Sequence, residues 1–320
     1  MEVHAAGGGI NYTVTHTRNA TEAQLKDLLE SRLDMMLQSG TTLAECKSGY
    51  GLDTKTELKM LRTLEKVSSP VEISSTFCGA HSVPEGMTME QATRDVIENQ
   101  LPAVKAAKDA GELPSLDNID VFCETGVFEV ESTKSILEKG MEMGLAVNFH
   151  AEELSYLGGV EMGASIKAKA ISHLEKISDA GIEAMARSGS VAVILPTTAY
   201  ILRLENPPVR RMIEKGVIVA LGSDFNPNAY CVSLPIVMHL ACVLQRMSLE
   251  EALAAATINA AHSIGRSSTH GSIEKGKVAD LVVINAPRWE NLVYQLGNHG
   301  NVIDKVIKRG RTVVNNKKPT

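Results

Sequence analysis

The sequence predicts an α/β fold: a (β/α)8 TIM barrel lacking its first strand, with part of a small sheet beside it. Three observations carry this. Seven apolar runs alternate with segments of helical periodicity up to residue 224. Several of those runs stop abruptly in His, Glu or Asp, as strands of parallel barrels do at their working face. Beyond about residue 265 the pattern changes to short β-rich segments separated by turns. The expected division is a barrel domain over 1–265, incomplete at its first strand, and a small β-sheet unit over 266–320. At 320 residues with 44% hydrophobic side chains, the chain is long enough for one barrel core, which takes about 250 residues.

In chain order, Gly7-Gly8-Gly9 reads as a turn whose N–H groups could approach an anion. Leu25, Leu28, Leu29, Leu33, Met36 and Leu37 have helical spacing, and Gly40 follows where a C-cap would stand. A strand over 41–47 leads into Ser48-Gly-Tyr-Gly-Leu52, a loop displaying Tyr50, and then a helix over about 54–67. The next strand, 71–81, ends in His81, and one helix over about 88–111 covers it. A strand ending at Glu124, a helix over about 131–143 and the run Leu145-Ala-Val-Asn-Phe-His150 continue the alternation. Further strands end at His173, Pro196 and Asp224, with helices over about 177–188 and before Gly216 between them. Seven strand ends result, one short of a closed barrel. Ser248-Leu-Glu-Glu251 is a capping-box start for the next helix.

Charge and cysteine usage narrow the partner. A formal charge of −6 with no basic stripe excludes the electrostatic footprint of nucleic-acid binding. The five cysteines form neither a CxxC pair nor a disulfide framework, which fits a reducing cytosol. No run approaches the roughly 18 apolar residues of a membrane span, and no basic region precedes an apolar one at the N-terminus. A cytoplasmic protein with a small-molecule partner is expected.

His150, His173 and Asp224 stand at equivalent ends of neighbouring strands, so two imidazoles and a carboxylate converge as candidate metal ligands. Such donors suit Zn²⁺ or Fe²⁺, either of which lowers the pKa of bound water towards neutrality. Asp224 or His173 could move that water's proton, and Glu153, three residues past His150, could protonate or hydrogen-bond a ring nitrogen. Tyr50, His81 and Asn226 sit on loops after strands and are candidates to hold a substrate; the plainer alternatives are a helix cap for Tyr50 and an Asx turn for Asn226. His4, His16, His239, His262, His270 and His299 have no strand-end placement and read as structural. Glu124 ends a strand, yet no Lys stands there to bridge two metals.

The stretches Ala5-Ala-Gly-Gly-Gly-Ile10, Lys47-Ser-Gly-Tyr-Gly-Leu52, Gly79-Ala-His81, His150-Ala-Glu-Glu153, Ser172-His173 and Ser223-Asp-Phe-Asn-Pro227 together resemble the amidohydrolase superfamily, along essentially the whole chain. Their wording is similar to its branch that opens the imidazolone ring in histidine degradation. The resemblance implies a metal-dependent hydrolase with one Zn or Fe ion per subunit, a homodimer, His150 and Asp224 as metal ligands, and His173 as a ligand or catalytic group nearby. It also implies that Glu153, Tyr50, His81 and Asn226 hold the substrate.

Two departures stand out. The superfamily's His-x-His pair on the first strand is absent, as is an Arg expected near it, and Asn228-Ala229 stands where many relatives have Gly followed by Ser or Thr. The expectation is therefore an N-terminally shortened chain with a weakened metal site. Because the small sheet of the family that it resembles combines both chain ends, the resemblance implies that 266–320 is the C-terminal part, the remnant, of a small β-sandwich domain with exposed edges. A purine or pyrimidine ring deaminase and a catalytically inactive variant are the alternatives.

Overall fold

A computed structural model describes residues 9–316. After helix α1 (Ile10–Asn19), Thr21 opens α2 (Glu22–Gln38) through a reciprocal capping box with Gln24. There follow β1 (Leu43–Lys47), α3 (Thr54–Lys66), β2 (Glu72–Ala80), α4 (Met89–Asp95) and α5 (Leu101–Asp109). The central elements are β3 (Leu116–Cys123), α6 (Val130–Glu142), β4 (Ala146–Ala151), α7 (Gly159–Ser165), β5 (Ala170–His173), α8 (Asp179–Ser188) and β6 (Val191–Ile194). Then come α9 (Pro196–Leu202), α10 (Val209–Glu214), β7 (Val219–Leu221), α11 (Leu234–Gln245), α12 (Leu249–Ala256) and α13 (Ile258–Ser263). The chain closes with β8 (Leu281–Ile284), β9 (Ile303–Lys308) and β10 (Arg311–Asn315).

β1 to β7 form one parallel sheet in sequential order, and among the described residues β1 and β7 are its two edges. This is the curled, seven-stranded part of a barrel. Strand alternation sorts its faces. Phe77, Ile119, Val121, Val147, Phe149 and Ile171 are fully or almost fully buried in the apolar core under the helices. On the other face, Glu45, Thr76, Asn118 and Asp120 line the concave interior with polar groups joined from strand to strand.

Two differences from the sequence expectation concern where elements break or end. The helix over 88–111 is interrupted by a π turn, Val96–Gln100, just before Pro102, which has no N–H for the Glu98 carbonyl. The last barrel strand is only three residues long, so Asp224 stands three positions beyond its end, in a turn. The small C-terminal unit, expected as part of a small sheet, is one antiparallel sheet in the order β10-β9-β8. Its Ile303 and Val306 pack on Leu33 and Leu37 of α2 and on Val71. Gly7 and Gly8 of the glycine run lie outside the described residues, while Gly9 is the N-cap of α1.

Candidate active site

Tyr50, His81, His150, Glu153, His173, Asp224 and Asn226 all line one cavity of about 1910 Å³, which runs through the open interior of the curled sheet and reaches Leu43 and Ala170 at strand starts and Val282 of the small sheet. The register explains the gathering. His150 pairs with Phe122 on one side and Ser172 on the other, and Ala151 pairs with His173. The two imidazoles therefore come from neighbouring strands, with ring centroids 5.1 Å apart and planes inclined by 30°.

His150 is held from behind. The carboxylate of Asp120, fully buried on β3, accepts from both the backbone N–H of His150 (3.1 Å) and its Nδ1 (2.8 Å) through the same Oδ1. The other oxygen, Oδ2, meets the Lys47 ammonium at 2.8 Å. Burial would raise the pKa of Asp120, but His150 and Lys47 outweigh it and hold the carboxyl well below the usual range. Asp120 is the residue that strand-end reading passed over. The signal was present: an Asp inside the apolar run Ile119-Asp-Val-Phe-Cys123, two places before Phe122 and so on the same inward face.

His173 sits among carboxylates. Its Nε2 is 3.7 Å from Glu153 and its Nδ1 is 3.8 Å from Glu175. Burial alone would depress its pKa, yet Glu153, Glu175 and Asp224 together raise it. Glu175 in turn is pushed up to about 7 by burial. Neither oxygen of Glu175 nor Nδ1 of His173 has a hydrogen-bond partner among the described residues. Asp224 accepts from the hydroxyl of Thr198 at 2.5 Å.

The Tyr50 loop rests on a second buried carboxylate. Glu57 accepts from the backbone N–H groups of Gly49 (3.1 Å), Gly51 (2.7 Å) and Leu52 (2.9 Å). A Cβ on Gly51 would lie 2.7 Å from the Glu57 nitrogen, so the loop closes only around glycine there. His81 bonds the Gly49 carbonyl through Nδ1 at 3.0 Å and meets Tyr50 edge to face at 5.1 Å. Burial, then the neighbouring His150, pushes the His81 pKa down to about 4, so this ring stays neutral. Burial, reinforced by Asp224, raises the Tyr50 phenol, which stays a proton donor.

Asn226 is committed to its own turn, donating to the Asp224 carbonyl (2.7 Å) and accepting from the N–H groups of Asn228 (2.8 Å) and Ala229 (3.2 Å). Glu124 is a loop anchor, accepting from Leu154 N–H at 2.9 Å and from Ser155 beside Glu153. Of the histidines read as structural, His16 and His270 also touch the cavity, while His4 lies outside the described residues.

Non-glycine residues with left-handed backbone cluster at this rim: Leu52, Glu152, His173, Leu174 and Asp224 have φ between 46° and 78°. Each costs on the order of 1–3 kcal/mol, and such strain concentrates at functional sites. As donors, His150 and its carboxylate partner fit a divalent ion in kind, because metal-binding imidazoles are usually held this way through the other nitrogen. The number of converging donors is smaller: among the described residues no three His, Cys, Asp or Glu side chains already surround one point.

A parallel half-barrel with charged and imidazole side chains at its strand ends defines a class, and the comparisons agree. The chain matches the sequence model of the Amidohydrolase family over residues 3–313, and it belongs to that family. It is 59% identical over 315 residues to a protein named "Probable imidazolonepropionase" from Nematostella vectensis, covering 98% of this chain and 73% of that one. The human protein of the same name is 57% identical, with 98% and 74% covered. The fold is similar to that of a guanine deaminase from C. acetobutylicum with bound guanine, at a TM-score of 0.71, 18% identity, and 94% and 78% of the two chains covered. It is also similar to an adenosine deaminase from Xanthomonas campestris with bound zinc, at a TM-score of 0.69, 14% identity, and 90% and 69% covered. Among the described residues no helix is long and apolar enough to cross a membrane.

Proposed function

We propose that this chain hydrolyses the ring amide C–N bond of 4-imidazolone-5-propanoate to give N-formimino-L-glutamate, the reaction of histidine catabolism that its relatives' name describes. The observation that supports it most is the convergence of Tyr50, His81, His150, Glu153, His173 and Asp224 on one cavity of a chain so similar to those relatives. His150, with His173 and Asp224, is the candidate set to hold one Zn or Fe ion. When bound, such an ion polarises a carbonyl and makes water a nucleophile near neutral pH.

The protein groups have separable tasks. The neutral His81 ring and the protonated Tyr50 hydroxyl bind the polar edge of the imidazolone. Glu153 hydrogen-bonds a ring nitrogen, and Asn226 shapes the turn that presents Asp224. His173 or Asp224 takes the proton from the attacking water. As the water oxygen bonds to the ring carbonyl carbon and the C–N bond breaks, that proton passes to the departing nitrogen.

A purine or pyrimidine deaminase reading has support from fold alone, since those similar structures are below 20% identity. The deciding experiment compares turnover of 4-imidazolone-5-propanoate with that of guanine, adenosine and cytosine, with metal content per chain measured in parallel. Loss of the imidazolone ring absorbance is expected. Deamination of any of the other three, or no turnover by protein carrying about one metal per chain, would overturn the assignment.

A further inference from the structure

The interior face of the sheet carries a line of polar groups that the proposed reaction does not use. Asn118 donates to the Thr76 hydroxyl (3.3 Å), Thr76 donates to Glu45 (2.5 Å), and Lys47 meets both Glu45 (2.9 Å) and Asp120 (2.8 Å). The line ends on His150, and it crosses four consecutive strands. A carboxylate with no exposed surface is costly to bury unless charge and hydrogen bonds surround it. Here Asp120 has them: one oxygen is taken twice by His150 and the other by Lys47. The Lys47 ammonium is itself kept charged, because Asp120 and Glu45 outweigh the burial that would lower its pKa.

We propose that Asp120, anchored by Lys47, is a positioning residue that fixes the tautomer and orientation of His150. An ionised carboxylate can only accept, so Nδ1 of His150 carries the proton. In the neutral ring the lone pair is then at Nε2, the atom that makes no hydrogen bond among the described residues. In water a free imidazole favours the opposite tautomer, so the protein imposes this choice. Lys47 acts one step back: without it the carboxylate would sit beside Glu45 with nothing to offset their repulsion, and its hold on the ring would loosen. This deepens the reading of His150 as a metal ligand and rests on it only for the catalytic consequence.

The test reads the tautomer directly in metal-free, ¹⁵N-histidine-labelled protein, with the His150 signal identified by its loss in His150→Gln. Wild type is expected to show the Nδ1–H form. Asp120→Ala is expected to shift the ring to the Nε2–H form and to weaken zinc binding roughly 10- to 100-fold. Lys47→Met, at a partly exposed position, is expected to populate both forms. An Nε2–H ring in wild type, or an unchanged ring in Asp120→Ala, overturns the proposal. Should Asp120→Ala not fold, Lys47→Met decides, and a pure Nδ1–H signal there overturns it. Hydrolysis is assayed separately: wild type with the Nδ1–H ring but no turnover removes the proposed reaction and leaves the role of Asp120 standing.

Discussion

Among single residues, buried carboxylates do different work according to what faces them. Asp120 faces an imidazole and an ammonium, while Glu57 faces backbone N–H groups and the Ser48 hydroxyl of the loop it holds. Glu57 therefore acts on the conformation of the loop that displays Tyr50. In Glu57→Gln one acceptor oxygen remains for Gly51 and Leu52, but an NH₂ group then opposes the Gly49 N–H in a site without water contact. A buried donor left unpaired costs about 1–3 kcal/mol. Urea unfolding of Glu57→Gln should show that loss with the m-value unchanged, together with a raised KM from a misplaced Tyr50. Tyr50→Phe should raise KM and leave the unfolding free energy from urea titration within about 0.5 kcal/mol of wild type. Equal stability of Glu57→Gln and wild type would remove the loop argument.

Between helices and strands, close contact is made through glycine. A Cβ on Gly163 of α7 would lie 2.6 Å from the Phe149 ring and 2.9 Å from Ile171, which are next to His150 and two residues before His173 respectively. Gly163→Ala should therefore cost about 1–3 kcal/mol by overpacking, read as a lowered melting temperature, and should lower kcat by displacing β4. Wild-type stability and kcat in Gly163→Ala would mean that Phe149 yields freely. These glycines also account for what the sequence hid. Strands were legible because a buried apolar run that ends in His, Glu or Asp must deliver that polar group to a rim or a cavity, and His81, His150, Glu153, His173 and Asp224 all meet at the cavity on that signal. Helix α7 was not, since Gly159 and Gly163 break up so short a segment and leave no helical period to find; α11 begins Leu-Pro and is apolar nearly all round, so it has little amphipathic period to find. Asp120 was missed for a further reason: attention to strand ends ignores a polar residue inside a strand, where period two would have flagged it.

Across the whole molecule, the C-terminal sheet has little core of its own and is fastened to the barrel by charge as well as by Ile303 and Val306. Glu72 at the start of β2 meets Lys308 (3.3 Å) and Arg309 (2.8 Å), Lys308 meets Asp280 (2.6 Å), and His270 is buried 3.6 Å from Glu72 and 3.8 Å from Asp280. The pKa of Glu72 would be raised by burial, but its hydrogen bond to Arg309 and the Lys308 charge lower it. That of His270 is lowered by burial, with Lys308 and Arg266 adding to the effect against the pull of Glu72 and Asp280. Both depressions have the same sign for stability. The unfolded chain binds these protons more tightly than the folded one, so the contribution is complete above the unfolded pKa and lost as pH falls. For His270 the loss begins below about 6.5 and for Glu72 below about 4.3, the ordinary values of these groups. The melting temperature should therefore drop in two stages between pH 7 and about pH 3, with proteolytic cleavage appearing first between residues 266 and 303, the stretch that carries His270 and joins the barrel to β9. His81, also held below its ordinary value, loses stability over the same range, so His270→Gln should shrink the first stage, not remove it, and keep the second. A first stage of the same size in both proteins, with the same cleavage pattern, would show that His270 takes no part in fastening the sheet.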